Sequence, residues 1–471
     1  MKNKIKFGTD GWRAIIAEDF TVENVKRVAY ATAQWLRKYY QEPSAVVGND
    51  CRFAGKLFAD TTTAVLASQG IKVFRANNDF VSTPMVSLGT VKLQADAGII
   101  LTASHNPATY NGYKIKASYG GPATPAMIDE VESLIPDTVS LNLKSLEEYA
   151  KDGFIEYVDL ESMYCDHIEA NFDMDAIRNC GMNWAYDAMY GAGQNVMRRI
   201  LPDCTFLHCD HNPGFDGQAP EPIHRNLTEF SDLIKLSEGE IASGLATDGD
   251  ADRIGLYDEN GNFVDSHHIL LLLIHYMSQV KKLQGEVYTT FSCTLKIQKL
   301  CDLYGINNTV TKIGFKYICD LMVNSGKPFL TGGEESGGIA VAGHIPERDG
   351  IWMGLTIWEF MAKTGKSLTE LIDEIYGLVG SFAFERYDLH LTENLKQEII
   401  NNCKTSVYKN FGAFKIAKTE DIDGFKFHLS DDSWVMVRPS GTEPVLRVYA
   451  EAPTSTEAFE ILDATKKELL G

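Results

Sequence analysis

The sequence predicts an α/β fold made of several domains. Through the first three quarters of the chain, segments with helical period alternate with short apolar runs, the pattern of sheets flanked by helices. From about Gly377 onward, strand-like alternation surrounds shorter helical segments, which indicates an α+β domain. At 471 residues the chain is also too long for one hydrophobic core, and roughly 100 to 200 residues per domain predicts three or four domains.

The first α/β domain is predicted over residues 1–155. Within it we predict strands over 45–48 and 71–74, a helix over 53–69 closed by Gly70, and an apolar strand just before Ser104. Thr21 is placed to cap an earlier helix, whose inward face is formed by Val25, Val28, Ala29, Trp35 and Leu36.

Three further domains are predicted to follow. The second, residues 156–260, would contain a strand over 182–186, a helix over 194–200, a strand over 241–247 and a turn at Asn260-Gly261. The third, residues 261–376, would contain helices over 269–279 and 315–323, a strand over 287–291, and a last helix capped by Ser367 with Glu370. The α+β domain, residues 377–471, would contain strands over 382–389, 434–437 and 445–450 and a closing helix.

Composition, charge and cysteine content indicate a soluble, cytosolic enzyme. The chain is 44% hydrophobic and 23% charged, and its 64 acidic residues against 44 basic ones argue against nucleic acid or an anionic membrane as partner. Nine cysteines without a Cys-x-x-Cys pair indicate reduced thiols. The amino terminus lacks the apolar stretch of a signal peptide, and the longest apolar run, 269–274, is too short to span a bilayer. We therefore expect a cytoplasmic protein.

Three carboxylates, those of Asp248, Asp250 and Asp252, lie at alternate positions directly after a predicted strand. An extended loop turns alternate side chains to the same side, and α/β folds bind ligands at the carboxyl ends of their strands. These residues therefore predict a site for a hard cation such as Mg²⁺. A calcium-binding loop would require glycine where Arg253 stands, which disfavours calcium. Arg253 is instead predicted to lie close to a phosphate at this site.

A candidate nucleophile, Ser104, follows the apolar strand in the segment Thr102-Ala-Ser-His-Asn-Pro107. A strand end that displays one hydroxyl to solvent is typical of nucleophiles, and an ordinary turn is the alternative. Lys114 follows closely enough to return an amine to the serine, where burial would lower its pKa toward neutrality and suit it to acid or base catalysis. A serine together with a magnesium-type loop indicates phosphoryl chemistry.

Two more loops are suited to a phosphorylated sugar. In Gly332-Gly-Glu-Glu-Ser-Gly-Gly338, Glu334 and Ser336 can hydrogen-bond to adjacent sugar hydroxyls, although a flexible loop with solvated acids is the alternative. Arg438-Pro-Ser-Gly-Thr442 offers a cation, hydroxyls and backbone N–H groups to an anion, and Arg447 could add a second guanidinium. A hairpin turn with an incidental arginine is the alternative there.

Together these loops resemble those of the α-D-phosphohexomutase superfamily, of the phosphoglucomutase/phosphomannomutase type. The matching segments run in the family's order over essentially the whole chain, and Phe7-Gly-Thr-Asp-Gly-Trp-Arg13 matches the family's amino-terminal stretch. The other matching segments are Thr102–Pro107, Asp248–Arg253, Gly333–Gly337 and Arg438–Thr442. The resemblance implies three similar α/β domains and a C-terminal α+β domain around a central cleft.

The resemblance also implies roles for individual residues. Ser104 would carry the phosphate, and the metal ligands for Mg²⁺ would be Ser104, Asp248, Asp250 and Asp252. The implied catalytic residues are Ser104, Lys114 as general acid/base, Arg13 beside the phosphoserine and His344 near the reacting hydroxyl. The candidate substrate-binding residues are Glu334, Ser336, Arg438, Ser440, Gly441, Thr442, Arg447, Lys316, Arg253 and His105.

The implied reaction interconverts hexose 1-phosphate and hexose 6-phosphate through a phosphoserine and a bound hexose 1,6-bisphosphate, which also acts as activator. Glu335 and Gly314-Phe-Lys316 resemble the glucose-type members, so glucose is the predicted hexose. A phosphomannomutase or dual-specificity mutase is the alternative, and phosphoglucosamine mutase and phosphopentomutase are more distant ones. Outside this class, a sugar-phosphate phosphatase or a non-catalytic sugar-phosphate binding protein remains open. The sequence makes no prediction of oligomeric state.

Overall fold

The structure is a computed structural model that describes residues 4–8, 10–429, 433–439 and 445–471. The chain forms two compact units. One runs to Glu286 and resumes over Gly314–Leu371, and the other consists of Val287–Ile313 and Ile372–Gly471. Within the described ranges, no helix combines the length and apolar character needed to cross a membrane.

The amino-terminal part of the first unit contains, in chain order, β1 (Trp12–Ile15), α1 (Val22–Tyr39), β2 (Ser44–Asn49), α2 (Gly55–Ser68), β3 (Lys72–Ala76), α3 (Thr83–Lys92), β4 (Ala97–Leu101), β5 (Tyr110–Ala117), α4 (Pro125–Ser133), α5 (Leu146–Lys151) and β6 (Ile155–Val158). The six strands form one sheet in the order β1-β5-β4-β2-β3-β6. Strands β4, β2, β3 and β6 pair in parallel. Strand β5 pairs antiparallel with β4, and β1 pairs antiparallel with β5 at the edge of the sheet. Because β5 runs antiparallel to β4, Lys114 in β5 lies opposite Ile100, near the end of the strand that leads to Ser104.

The predicted cap and inward face of α1 are confirmed. The Thr21 side chain accepts a hydrogen bond from the Asn24 N–H group, and all five residues of the predicted inward face are buried. They pack in one hydrophobic core with Trp12, Leu101 and Tyr113 from the sheet. This core supports the strand ends from which the candidate site is built.

The middle of the first unit contains α6 (Leu160–Asn171), α7 (Met174–Asn179), β7 (Asn183–Asp187), α8 (Gln194–Ile200), β8 (Thr205–Leu207), α9 (Thr228–Leu236), β9 (Ile241–Thr247), β10 (Ile254–Tyr257) and β11 (Phe263–Val264). The strand order is β11-β10-β9-β7-β8, with β10 and β11 antiparallel and the other three strands parallel. The predicted strand over 241–247 and helix over 194–200 are confirmed, and Gly261, with φ of +70°, lies in the turn between β10 and β11.

The next part of the chain contains α10 (Ser266–His275), β12 (Glu286–Thr290), α11 (Lys296–Tyr304), β13 (Asn308–Thr311), α12 (Phe315–Asn324), β14 (Phe329–Gly333), β15 (Ile339–Val341), α13 (Gly350–Thr364) and α14 (Leu368–Val379). In the first unit β14 and β15 pair antiparallel, and in the second unit β12 and β13 pair in parallel. Ser367 and Glu370 form the predicted reciprocal hydrogen bonds at the start of α14.

The carboxy-terminal part of the second unit contains β16 (Ala383–His390), α15 (Glu393–Lys404), β17 (Asn410–Phe411), β18 (Phe414–Glu420), β19 (Phe425–Leu429), β20 (Trp434–Pro439), β21 (Val445–Ala452) and α16 (Ser455–Leu470). All six strands are antiparallel, in the order β16-β21-β20-β19-β18-β17. The predicted fold class, α/β domains followed by an α+β domain, is confirmed. The nine cysteines are thiols, also as predicted.

The limits predicted for the four domains stay a prediction. Strand β6 crosses the predicted limit at residue 155 and pairs in parallel with β3, as a member of the first sheet. The amphipathic pattern of one segment does not identify the strand with which that segment pairs, so a limit drawn from patterns alone is imprecise by a few residues.

Candidate active site

Ser104 lies in the loop that follows β4, with a φ of +53°. Its side-chain Oγ donates a hydrogen bond of 2.6 Å to Asp248 Oδ2. The expectation of a solvent-exposed hydroxyl is wrong, because only 1% of Ser104 is exposed. The backbone of Gly249 packs closely against Ser104. A Cβ atom added to Gly249 would lie 2.6 Å from the Ser104 carbonyl oxygen. The metal loop and the serine loop therefore form one buried site.

The three aspartates of the metal loop converge as predicted. Asp248, Asp250 and Asp252 are completely buried, and each offers a carboxylate oxygen within 4.8 Å of the other two. The Asp248 Oδ1 atom accepts hydrogen bonds from the backbone N–H groups of Asp252 and Arg253, which fixes the turn of the loop. The pKa of Asp248 is raised well above its ordinary value, mainly by burial and to a lesser extent by the negative charges of Asp250 and Asp252.

A hard cation fits this cluster. Among the described residues, Asp250 Oδ1 and Asp252 Oδ1 are buried without a hydrogen-bond partner, although buried carboxylate oxygens are normally paired. Oxygen atoms are also the ligands that Mg²⁺ prefers. The donor set therefore suits Mg²⁺, with Asp248, Asp250 and Asp252 as the residues that could hold it.

Lys114 reaches the same cluster from β5. Its Nζ lies 2.9 Å from Asp10 Oδ2, 2.8 Å from Asp250 Oδ2 and 3.1 Å from Asp252 Oδ2. Burial lowers the pKa of Lys114, but the three carboxylates outweigh burial and raise its pKa above the ordinary value. In this arrangement the shift in the pKa of Lys114 is opposite to the lowering toward neutrality expected from the sequence.

Two basic side chains, those of Arg13 and His105, contact the serine loop. Arg13 Nη1, from β1, donates a hydrogen bond of 2.7 Å to Asn106 Oδ1 in the serine loop. His105 Nδ1 lies 3.3 Å from Ser104 Oγ. Burial, followed by the charges of Arg253 and Arg13, lowers the pKa of His105 well below its ordinary value, so this imidazole is neutral near pH 7. Arg253 itself lies 3.6 Å from Glu221 Oε1.

Two residues of this network, Arg348 and Asp10, were not predicted from the sequence. Arg348 Nη2 donates to Asp10 Oδ2 at 2.5 Å and to Asp252 Oδ2 at 2.7 Å. The available signal was the charged run Glu347-Arg348-Asp349 between two strongly apolar segments, since charged residues that are buried are normally paired. Asp10 had a weaker signal, because it lies in a short polar loop of the matching amino-terminal stretch.

The candidate sugar loop lies against the metal loop. Glu334 follows β14 and is 7% exposed. Burial raises its pKa to about 7, although the positive charge of Arg348 acts to lower it. Gly337, with φ of +89°, accepts a hydrogen bond through its carbonyl from the Ile254 N–H group, which ties this loop to β10. Ser336 is exposed, so Glu334 and Ser336 offer one buried and one accessible polar group.

The structure places Lys316 and His344 in separate surroundings. Lys316 lies in the first turn of α12, with its Nζ 5.4 Å from the centre of the Tyr317 ring. His344 is buried, with Nε2 at 2.9 Å from Asp349 Oδ2 and its ring stacked on Trp352 at 3.8 Å. Neither contacts Ser104 or the three metal-loop aspartates among the described interactions. Their roles stay predictions.

The candidate phosphate loop belongs to the second unit. Arg438 is near the end of β20, opposite Arg447 in β21, so both guanidinium groups stand at one register position of the sheet. Arg438 Nη2 lies 3.4 Å from Asp423 Oδ2, and Arg447 Nε lies 3.9 Å from Asp388 Oδ1. The predicted phosphate-binding residues Ser440, Gly441 and Thr442 lie outside the described residues.

Comparison with known proteins identifies relatives along the whole chain. Models of the phosphoglucomutase/phosphomannomutase family match domain I at residues 4–140, domain II at 162–261, domain III at 265–378 and the C-terminal domain at 402–468. A phosphoglucosamine mutase of Limosilactobacillus fermentum is 30% identical over 484 aligned positions, covering 99% of this chain and 98% of the relative.

Two other relatives carry different substrate names. A phosphoglucomutase/phosphomannomutase of Thermococcus kodakarensis is 29% identical over 463 residues, covering 97% of this chain and 96% of the relative. A crystal structure from Thermus thermophilus, assigned provisionally as a phosphomannomutase, is 30% identical, with a TM-score of 0.87 and complete coverage of both chains. The chain therefore belongs to the phosphoglucomutase/phosphomannomutase family of the α-D-phosphohexomutase superfamily.

Proposed function

We propose that this chain interconverts hexose 1-phosphate and hexose 6-phosphate through a phosphoserine at Ser104. The observation that carries the proposal is the hydrogen bond of 2.6 Å between Ser104 Oγ and Asp248 Oδ2 within a buried cluster of three aspartates. A nucleophile in direct contact with a candidate metal ligand suits phosphoryl transfer. A protein that only binds sugar phosphates would need neither group.

The proposed reaction consists of two phosphoryl transfers, one from Ser104 to the sugar and one from the sugar to Ser104. The phosphoserine gives its phosphoryl group to the free sugar hydroxyl, so the bond between phosphorus and Ser104 Oγ breaks while a bond to the sugar oxygen forms. Lys114 gives a proton to Ser104 Oγ and takes up the proton that the sugar hydroxyl loses, and the second transfer reverses these proton movements. The bound 1,6-bisphosphate then turns over, and its other phosphoryl group returns to Ser104. The isomeric monophosphate leaves, with no net change in the enzyme.

Residues around Ser104 would stabilise this transfer. Lys114, held as an ammonium group by three carboxylates, is the proposed proton donor to Ser104 Oγ. Arg13 and Arg253 would balance the charge of the phosphate, and a neutral His105 can still donate one hydrogen bond. Bound Mg²⁺ would offset the negative charge of the phosphoryl group during transfer.

Three hexoses are candidates for the substrate, and mannose is supported by the 30% identical Thermus thermophilus structure that is assigned provisionally as a phosphomannomutase. Glucose is proposed first, because Glu335 and Gly314-Phe-Lys316 match glucose-type members. Glucosamine is the second candidate, since a phosphoglucosamine mutase is among the relatives with 30% identity. Two hexoses that differ by one polar group are distinguished strongly only if a buried protein group would be left without its partner. Glu334, buried in the candidate sugar loop, is the proposed selecting group.

The test is to measure mutase turnover on glucose 1-phosphate, mannose 1-phosphate and glucosamine 1-phosphate with Mg²⁺ and a trace of each matching 1,6-bisphosphate. Ser104→Ala should abolish turnover, and its fold should survive because the substitution removes one hydroxyl. Ser231→Ala is the matched control, since this buried serine donates to the Gly261 carbonyl, at 2.7 Å. Normal rates in Ser104→Ala would refute the phosphoserine. Phosphate release without isomerisation would instead identify a phosphatase.

A further inference from the structure

The N–H and carbonyl groups of Ser104 are held by a chain of three hydrogen bonds, whose two ends are joined by an ion pair. The Ser104 N–H group donates to Thr102 Oγ1 at 2.9 Å, and Thr102 Oγ1 donates to Asp50 Oδ2 at 2.5 Å. On the other side, the Ser104 carbonyl accepts a hydrogen bond of 2.6 Å from Arg52 Nη2. The ion pair between Arg52 and Asp50, with Nε 3.3 Å from Oδ2, joins the two ends of this chain.

Arg52 also holds the rest of the serine loop. Its Nη2 donates to the carbonyl of Asn106 at 2.6 Å, and its Nη1 donates to those of Pro107 at 2.8 Å and Tyr110 at 3.0 Å. The Phe215 ring covers the guanidinium, with 4.9 Å between its centre and the Arg52 Cζ atom. None of the Arg52 side chain is exposed. A planar guanidinium with several fixed donors suits such multiple contacts, whereas a lysine ammonium cannot reproduce their geometry.

The backbone of Ser104 needs this support. Its φ of +53° lies in the left-handed region, which a residue with a Cβ adopts only when its surroundings hold it there. This conformation directs Oγ toward Asp248. A backbone that relaxed to negative φ would carry Oγ away from the metal loop, and errors of about 1 Å in a reacting group can reduce turnover by roughly 100-fold.

We propose that Asp50, Arg52 and Thr102 are positioning residues that hold Ser104 in its left-handed conformation, and so place its Oγ for phosphoryl transfer. The inference rests on the proposed phosphoserine function. None of the three residues contacts a sugar-loop residue among the described interactions. Their loss should therefore reduce the rate of transfer to and from Ser104 and leave sugar-phosphate binding unchanged.

The test uses two substitutions of one side chain. Thr102→Val removes the hydroxyl at nearly constant shape, and Thr102→Ser retains it. Thr32→Val is the matched control, because Thr32 is also completely buried in the same domain and its hydroxyl bonds to Val28 and Tyr113. Arg52→Lys provides a second variant that keeps the charge. Each protein is assayed for kcat, KM, melting temperature and the rate at which glucose 1,6-bisphosphate phosphorylates Ser104, followed by intact mass.

Thr102→Val should lower kcat and the phosphorylation rate by roughly 10- to 100-fold with KM changed by less than about twofold, and Thr102→Ser should recover most of that loss. Thr32→Val should keep the kcat of the wild type whatever its melting temperature. Equal kcat losses in Thr102→Val and Thr32→Val, or no loss in Thr102→Val, would overturn the positioning role. A wild-type protein that never becomes phosphorylated at Ser104 would instead overturn the proposed function.

Discussion

Arg348 donates a hydrogen bond of 2.7 Å to Asp252 Oδ2, across 96 residues of sequence. The same guanidinium group binds Asp10, so one side chain joins the amino-terminal stretch and the loop before α13 to the metal loop. Two opposite charges within a buried site stabilise each other only while both are present. Arg348 is thus as necessary to the electrostatic balance of the site as the aspartates themselves.

Arg348→Met should therefore destabilise the first unit by about 3–5 kcal/mol, because it leaves Asp10 and Asp252 buried with less compensation. Thermal unfolding of the variant measures the loss. Arg386→Met is the control, since Arg386 pairs with Asp388 at 3.0 Å and is 35% exposed, and an exposed pair contributes at most about 1 kcal/mol. Equal shifts in melting temperature for the two variants would contradict the role given to Arg348.

Magnesium should raise the melting temperature of the wild-type protein. The three aspartates repel one another, and a cation that binds only the folded state stabilises it by about 2.7 kcal/mol at 100 times its dissociation constant. Asp248→Asn should lose this shift, although its amide oxygen can still accept the hydrogen bonds of the Asp252 and Arg253 N–H groups. A wild-type protein whose melting temperature is the same in Mg²⁺ and in EDTA would argue against the metal site.

Glu334 should make stability depend on pH near neutrality. Burial raises its folded pKa to about 7 from an ordinary value of 4.5. Because the folded pKa is the higher one, the stabilising contribution is complete below pH 4.5 and is lost as pH rises through 7. Glu334→Gln stays neutral, so between pH 5 and 8 its melting temperature should fall less than that of the wild type. Glu240→Gln, at an exposed glutamate outside the candidate site, is the control, and parallel curves for wild type and Glu334→Gln would disprove the shift.

Arg438→Ala should raise KM for the hexose phosphate much more than it lowers kcat. Its proposed partner is the phosphate that is not being transferred, and loss of a contact present in both ground and transition states appears in KM. Steady-state kinetics on the preferred hexose 1-phosphate measures KM and kcat separately. Lys418→Ala, an exposed lysine in β18 that pairs with Glu420, should leave both constants unchanged. An unchanged KM in Arg438→Ala would exclude the phosphate role.

Features that depend on nearby sequence could be predicted. The Thr21 cap, the buried face of α1, the Ser367–Glu370 pair and the strand over 241–247 all follow from patterns within about 20 residues, where helix and strand periods act directly. The four loops that carry Ser104, the three aspartates, Glu334 and Arg438 were also recognisable, because short polar segments after apolar strands are unusual in a core.

Features that depend on distant contacts could not be predicted. The pKa of Lys114 was expected to fall because burial alone lowers it, and its actual direction is set by Asp10, Asp250 and Asp252, which no local pattern places beside it. The burial of Ser104 has the same origin, since the covering Gly249 is 145 residues away in the chain. Pairing between distant charges is a property of the assembled fold.

Lys114 and Arg348 also bear on whether the fold needs a metal ion. Their two cationic groups already offset much of the charge of Asp250 and Asp252, so the protein does not require an ion to bring these carboxylates together. If the site binds Mg²⁺ as proposed, we expect the chain to fold before the metal binds. We therefore expect removal of Mg²⁺ to affect turnover more than folding.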